Sequence, residues 1–222
     1  MKNEKMRTLP EATFKNLPDA YGGSTEFKNE SFDMQTIKAV LRIRTEFGLT
    51  SAFLISPDGY ALTCAHAITE SGNVSKVAEK LKFVYFMGAT PIKAGTFEIV
   101  NIKPDIDLAL IKVTLDGIEK LPYLKLASED RLIGWRENYF IPEYSNKDAS
   151  KSFMLGFVHS ECVKDEYGCL YYLDGGKSVR SSGVPVISEK DGCVIGIVQG
   201  LDLTAEYLRV RPTTYFWKEF LE

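Results

Sequence analysis

Three residues, His66, Asp107 and Ser182, carry the side chains that together make a hydroxyl nucleophilic. His66 ends the run Thr63-Cys64-Ala65-His66, at the close of a short apolar stretch and beside a turn. An imidazole there is a ready proton acceptor near neutral pH. Asp107 stands in Pro104-Asp105-Ile106-Asp107-Leu108-Ala109-Leu110-Ile111-Lys112, at the entrance to a strongly apolar run. A carboxylate in that position is poorly solvated unless something pairs with it. Asp105 reads as an ordinary surface-turn acid; Asp107 is the one to set against the Nδ1 proton of His66. There it would hold the ring in one tautomer and stabilise the imidazolium formed in a reaction. Ser182 lies in Val179-Arg180-Ser181-Ser182-Gly183-Val184-Pro185-Val186. Gly and Pro around a serine make a tight loop that exposes Oγ and presents backbone N–H groups beside it. The G-x-S-x-G elbow of other hydrolases is absent here.

The elements around these residues read as strands. Phe53-Leu54-Ile55 is an apolar run, Pro57-Asp58-Gly59 a turn, and Tyr60, Leu62 and Cys64 alternate as a second strand would. From Thr36 on, Ile37-Lys38-Ala39-Val40-Leu41-Arg42-Ile43-Arg44 takes on the alternation of a half-exposed strand. Phe83 to Met87, Thr96 to Ile102 and Leu108 to Val113 follow as strands, with Gly72 to Lys80 as a polar loop or short helix. A second set comprises Tyr139 to Ile141, Phe153 to Val163, Leu170 to Leu173, Pro185 to Ile187, Val194 to Val198 and Tyr207 to Val210. Thr213 or Thr214 can cap a terminal helix with Tyr215, Phe216, Phe220 and Leu221 as its apolar face. The expected class is all-β: two antiparallel six-stranded β-barrels and a C-terminal helix. The expected division is an N-terminal extension over 1–35, a first barrel over 36–118, a connector over 119–135, and a second barrel with the helix over 136–222.

Composition narrows the function. Hydrophobic residues make up 45% of the 222, enough for a folded core. The net charge of −3 provides no basic field, which argues against a nucleic-acid partner. No apolar run approaches the roughly 20 residues of a membrane span. The opening Met1 to Asn16 lacks the apolar centre of a secretory signal, so a cytoplasmic location is expected. Cys64, Cys162, Cys169 and Cys193 form no C-x-x-C pair, and two histidines are too few for an ordinary zinc site. Cys162 and Cys169 flank a hairpin turn and are expected as reduced thiols.

Taken together, the three segments resemble the trypsin-like serine proteases of chymotrypsin fold, and most of all their high-temperature-requirement (Deg-type) branch. Thr63-Cys64-Ala65-His66 is similar to that family's T-x-A-H, Asp107-Leu108-Ala109-Leu110 to its D-L-A-L, and Ser181-Ser182-Gly183-Val184-Pro185 to its x-S-G-G-P. The order His, Asp, Ser also matches. The resemblance runs from about Ala39 to the C-terminus. It implies His66 as general base, Asp107 as orienting acid and Ser182 as nucleophile, with the Ser182 and Arg180 amides as the oxyanion hole. Gly196-Ile197-Val198-Gln199-Gly200 resembles the strand that pairs with substrate. By the same pattern Gly176 lies at the floor of the primary pocket, Gly200 on its wall and Ala205 opposite. None of these is charged, which implies a small or apolar residue before the cut; Lys177 reads as an exposed surface residue, though an ammonium turned into the pocket would favour an acidic one. The implied activity is endopeptidase cleavage of a polypeptide substrate, with no metal or cofactor.

The pattern breaks at Arg180, where the family has a glycine. That glycine supplies one of two oxyanion donors in a backbone conformation awkward for a residue with Cβ. Losing one donor costs about 10²–10³ in rate. Two readings follow: an enzyme whose hole forms only when a substrate or an activating protein partner reshapes the loop, or a catalytically dead pseudoprotease that binds peptides. Val184 replaces a second glycine one step past the chemistry. Ser181 stands where secreted digestive members carry Asp, which argues against activation by a newly cut N-terminus.

Overall fold

The computed structural model describes residues 36, 38–70, 73–78, 83–86, 95–114, 120–144, 151–158, 163–165, 168–174, 182–202 and 207–220. Two antiparallel sheets dominate. The first takes β1 (Val40–Thr45), β2 (Gly48–Leu54), β3 (Tyr60–Thr63), β6 (Phe83–Phe86), β7 (Thr96–Lys103) and β8 (Leu108–Thr114) in the order β6-β1-β2-β3-β8-β7. The second takes β9 (Asn138–Tyr144), β10 (Lys151–Val158), β11 (Val163–Asp165), β12 (Gly168–Asp174), β13 (Pro185–Ser188), β14 (Val194–Asp202) and β15 (Tyr207–Pro212) in the order β10-β9-β13-β14-β15-β12-β11. Between β3 and β6 lie a one-turn helix, α1 (Ala65–Ile68), and a small hairpin of β4 (Thr69–Glu70) with β5 (Asn73–Val77). Helix α2 (Thr214–Phe220) follows β15. Among the described residues, no helix is long and apolar enough to cross a membrane.

The apolar runs in β2 and β8 have a simple cause: these strands are buried on both faces, and the period of two sends alternate residues to different cores. Ala52, Leu54, Ala61, Ala109, Ile111 and Val113 fill the core of the first sheet. Their neighbours Phe53, Leu62, Leu108 and Leu110 point the other way, into a central core shared with Phe140, Ile187, Val194 and Ile197 of the second sheet. Helix α2 seals that central core with Phe216, Trp217 and Phe220. The opposite face of the second sheet builds a third core from Tyr139, Ile141, Val186, Ile195, Val198 and Val210, among others. Fully burying one such side chain stabilises the fold by about 1.5–3 kcal/mol. The segment after Lys120 ties both sheets together: Leu124 N–H donates to Leu54 O (2.8 Å), and Ala127 N–H to Val194 O (2.9 Å).

Several sequence expectations change. The class is mostly β, but among the described residues β6 and β7 do not pair, so the first sheet is open. The second has seven strands rather than six, because the predicted Phe153 to Val163 strand is two, β10 and β11. β11 adds a hairpin arm to β12, and a short pairing of β10 with β12 (Phe157↔Asp174, Val158↔Leu173) links across that sheet. Within the predicted loop or helix at Gly72 to Lys80, residues 73–77 form a strand, anchored by the Ala78 amide on Ile68 O at 2.8 Å. In α2, Trp217 is buried, while Tyr215 is only partly so. Thr213 does not cap the helix with its hydroxyl, which donates instead to Val194 O at 2.8 Å. The extension over 1–35, His159 and Cys162 lie outside the described residues.

Candidate active site

Strand register brings His66 and Asp107 together across a separation of 41 residues. β3 and β8 run antiparallel with Thr63 opposite Ala109. The chain leaving β3 and the chain entering β8 therefore emerge at the same end. Past Thr63 the backbone turns at Cys64 into α1, whose Ala65, Ala67 and Ile68 are buried, leaving His66 as the outward residue. Before Leu108 a 3-10 turn over Pro104–Ile106 ends on Asp107. Asp107 takes the left-handed conformation (φ 53°, ψ 46°). Aspartate is among the few residues to visit that region, at about 1–2 kcal/mol. Its N–H closes the turn on Pro104 O at 3.0 Å.

Both carboxylate oxygens of Asp107 are engaged by His66. Oδ1 accepts from the His66 backbone N–H at 2.9 Å, and Oδ2 lies 2.8 Å from Nδ1. An ionised carboxylate only accepts, so Nδ1 donates and Nε2 of the neutral ring is left as the basic nitrogen. The hydrogen bond to Asp107 raises the His66 pKa above its ordinary value, burial opposes it, and the Asp107 charge adds to the rise. The imidazole side chain is 42% exposed.

Ser182 is held at the seam between the sheets. Its carbonyl accepts from Ser51 N–H (3.1 Å) and from Thr50 Oγ1 (3.0 Å), both on β2. The next residue, Gly183, sits at φ +86°, and a Cβ on it would lie 1.9 Å from Ser51 O. That close approach requires a glycine. Gly183 N–H donates to Val198 O at 2.8 Å, fastening the loop to β14. The Ser182 hydroxyl donates to Gln199 O at 3.1 Å; it makes no hydrogen bond to His66 in this structure. The Ser182 N–H has no acceptor among the described residues.

The remaining sequence candidates divide. Val198 has both main-chain groups engaged: its N–H donates to Val184 O (3.0 Å), and its carbonyl accepts from Gly183 N–H and from Cys64 Sγ (3.2 Å). Substrate pairing at Val198 would have to compete with those bonds. Gly200 borders open space, with nothing within 4 Å of where its Cβ would be. Gln199 is buried and reaches across the seam, its Nε2 donating to Ile106 O (2.6 Å) and Asp107 O (3.3 Å). Arg180, Gly176 and Ala205 lie outside the described residues. Sequence reasoning missed Thr50, because a threonine in a strand shows nothing of a partner 132 residues away.

Cys64, His66 and Asp107 offer ligand atoms that lie within 4.8 Å of one another. As a metal set they conflict with the rest of the geometry. The His66 and Asp107 atoms are committed to each other. Burial above all, and then the Asp107 charge, pushes the Cys64 thiol well above its ordinary pKa, the reverse of what a thiolate ligand needs.

Comparison with known proteins settles the family. The family model for the trypsin-like peptidase domain matches residues 50–197, roughly two thirds of the chain, a span that includes His66, Asp107 and Ser182. The chain belongs to the trypsin-like peptidase family. Among solved structures, this trypsin-like domain is similar to Deg5 (TM-score 0.67, 19% identity, 84% of this chain and 89% of that one). It is also similar to the MamO protease domain from Magnetospirillum magneticum (TM-score 0.64, 18% identity, 85% and 98%). A serine endoprotease from Yersinia pestis aligns likewise (TM-score 0.63, 18% identity, 85% and 65%). At these identities the likeness speaks for the fold, which is that of Deg-type trypsin-like proteases. Among curated protein sequences, none matches this trypsin-like chain significantly.

Proposed function

We propose that this chain is a serine endopeptidase whose reaction runs through Ser182, His66 and Asp107. The observation that carries the reading is the double contact between Asp107 and His66, which leaves Nε2 as the free base. Rotation of the Ser182 hydroxyl from Gln199 O toward Nε2 sets up the first step. Oγ then attacks the scissile carbonyl while its proton passes to Nε2, and the carbonyl π pair moves onto oxygen. The resulting imidazolium is held by Asp107. The Ser182 N–H and the Arg180 N–H stabilise the oxyanion. Collapse of the intermediate breaks the C–N bond, and His66 returns the proton to the leaving amine. Water, deprotonated by His66, clears the acyl-enzyme by the same steps. The two sheets are read as the two barrel walls of a trypsin-like domain, with an extended substrate running past Gly200 between them. A small or apolar residue precedes the cut, since Gly176, Gly200 and Ala205, which the family pattern places around that pocket, are uncharged.

A second reading, a peptide-binding pseudoprotease, draws on two features: the Ser182 hydroxyl is turned to Gln199 O, and Arg180 replaces the oxyanion-hole glycine. A fluorophosphonate probe separates the two. Labelling of the wild type that disappears in Ser182→Ala supports the enzyme, and kcat should then fall by on the order of 10⁴–10⁶ in that variant. Absence of labelling, with and without peptide ligands and with Arg180→Gly, leaves only the binding module.

A further inference from the structure

We propose that Gln199 is a positioning residue: its side-chain amide clamps the Asp107 turn of the first sheet to the strand of the second sheet that faces Ser182. This rests on the peptidase reading and adds to it a device that holds the acid in place.

The geometry is specific. One nitrogen, Nε2, meets two successive main-chain carbonyls, Ile106 O at 2.6 Å and Asp107 O at 3.3 Å. Only the NH₂ end of the amide can face two acceptors, so chemistry fixes the orientation. The residue is 8% exposed, so water does not compete freely for these bonds. Gln199 has this reach because it sits where the pairing of β14 with β15 slips, between Val198↔Val210 and Gly200↔Arg209. A bulge of that kind re-aims a side chain out of the regular alternation. The main chain of the same residue accepts the Ser182 hydroxyl at 3.1 Å. One residue therefore touches the acid's turn with its side chain and the serine with its carbonyl.

The clamp answers a structural need. Asp107 is in the left-handed region at the end of its turn, with its N–H tied to Pro104 O. Its two oxygens must face the His66 N–H and Nδ1 at the same time. With the carbonyls on either side of the Asp107 N–H pinned from across the seam, the carboxylate is held to that orientation. Without the amide, the two carbonyls lose their donor and the turn can relax away from the imidazole.

The test reads His66 directly. The chain has two histidines, and His159→Gln leaves the His66 imidazole as a single proton NMR titration signal. In that background Gln199→Met keeps size and removes the donor, while Gln199→Leu removes it with a shorter apolar chain; neither adds a charge near the imidazole. The expected result is a His66 midpoint that falls in both variants toward the ordinary value of 6.5, with fluorophosphonate labelling slowed at least about 10-fold. Trp217→Phe serves as the control. It removes a buried hydrogen bond to Ala127 O (2.6 Å), on the connector rather than on the acid turn, and should leave the midpoint unmoved. A midpoint in Gln199→Met and Gln199→Leu equal to that of their parent overturns the proposal, as does an equal shift in Trp217→Phe. The titration does not depend on turnover. A wild type that never labels would sink the peptidase reading, while the midpoints would still decide whether the clamp exists.

Discussion

Replacing Asp107 by asparagine tests the centre of the proposed mechanism, because the two groups differ by little more than the exchange of one oxygen for an NH₂. In the wild type, Oδ1 takes the His66 backbone N–H at 2.9 Å and Oδ2 faces Nδ1 at 2.8 Å. The backbone donor is fixed, so the one oxygen left in the Asp107→Asn side chain must stay opposite it. That leaves the NH₂ facing Nδ1, which must then accept. The imidazole proton moves to Nε2, and the atom that should receive the Ser182 proton carries one already. Geometry is kept and the tautomer is wrong. A loss of this kind is about 10⁴-fold in rate, or about 5.5 kcal/mol of barrier. The assay is the second-order rate constant for fluorophosphonate labelling of Ser182, which needs no knowledge of the natural substrate. Folding of the variant is checked by its denaturation midpoint near pH 8, where the pair contributes least to stability. Labelling within a factor of ten of wild type, in a folded Asp107→Asn protein, would show that His66 does not act through this pair.

Two further outcomes follow from the same geometry. The pKa of His66 is raised in the folded chain, so its pairing stabilises the fold fully below the ordinary value of 6.5 and ceases to do so as pH rises through the folded value. The stability difference between wild type and Asp107→Asn should therefore be larger at about pH 6 than at about pH 8 in matched urea titrations; a difference that grows with pH contradicts the sign. Gly183→Ala should cost about 2–5 kcal/mol, the sum of a left-handed residue with Cβ and of overpacking against Ser51 O at 1.9 Å and Thr63 Oγ1 at 3.0 Å. The same change should slow labelling of Ser182, since the loop must lift from β2; a loss under 1 kcal/mol would mean that the loop does not dock as described.

What can be read from the sequence, and what cannot, divides along the range of the interactions involved. His66 and Asp107 stand out because each abuts a short apolar run whose alternation is a local property. Once Thr63 is set opposite Ala109, antiparallel pairing alone delivers the two side chains to one end of the sheet. The apolar density of Phe53 to Ile55 and Leu108 to Ile111 is equally visible, but its reason is not. These strands face two cores at once, and the second core is made by residues of the other sheet such as Ile187 and Ile197. Strand number is misread where polar residues mask the pattern, as over 73–77, or where one predicted strand spans parts of two, as Phe153 to Val163 spans parts of β10 and β11. Trp217 falls outside the predicted helix face because Phe216 and Trp217 are adjacent, whereas their shared burial comes from the central core closing over the helix from two directions.

The seam between the sheets is the least legible part, and the reason is physical rather than statistical. A glycine after a serine announces a turn, but not that the turn lies against Ser51 with less room than a methyl group needs. Likewise Gln199 stands in the sequence as part of the Gly196 to Gly200 run that resembles a substrate-pairing strand, with nothing to show where its side chain goes. Its actual direction is set by a slip in pairing with β15, which depends on how Val198 and Gly200 meet Val210 and Arg209. Local pattern therefore fixes which groups have the right chemistry, while long-range register fixes whether they point at one another. In this chain the pairing of His66 with Asp107 belongs to a single sheet. The approach of Ser182 to that pair depends on contacts between sheets: Thr50 and Ser51 hold its carbonyl, and Gln199 bridges it to the acid's turn. Variation at the seam should accordingly change activity while leaving the His66–Asp107 pair in place, except at Gln199, which touches both sides.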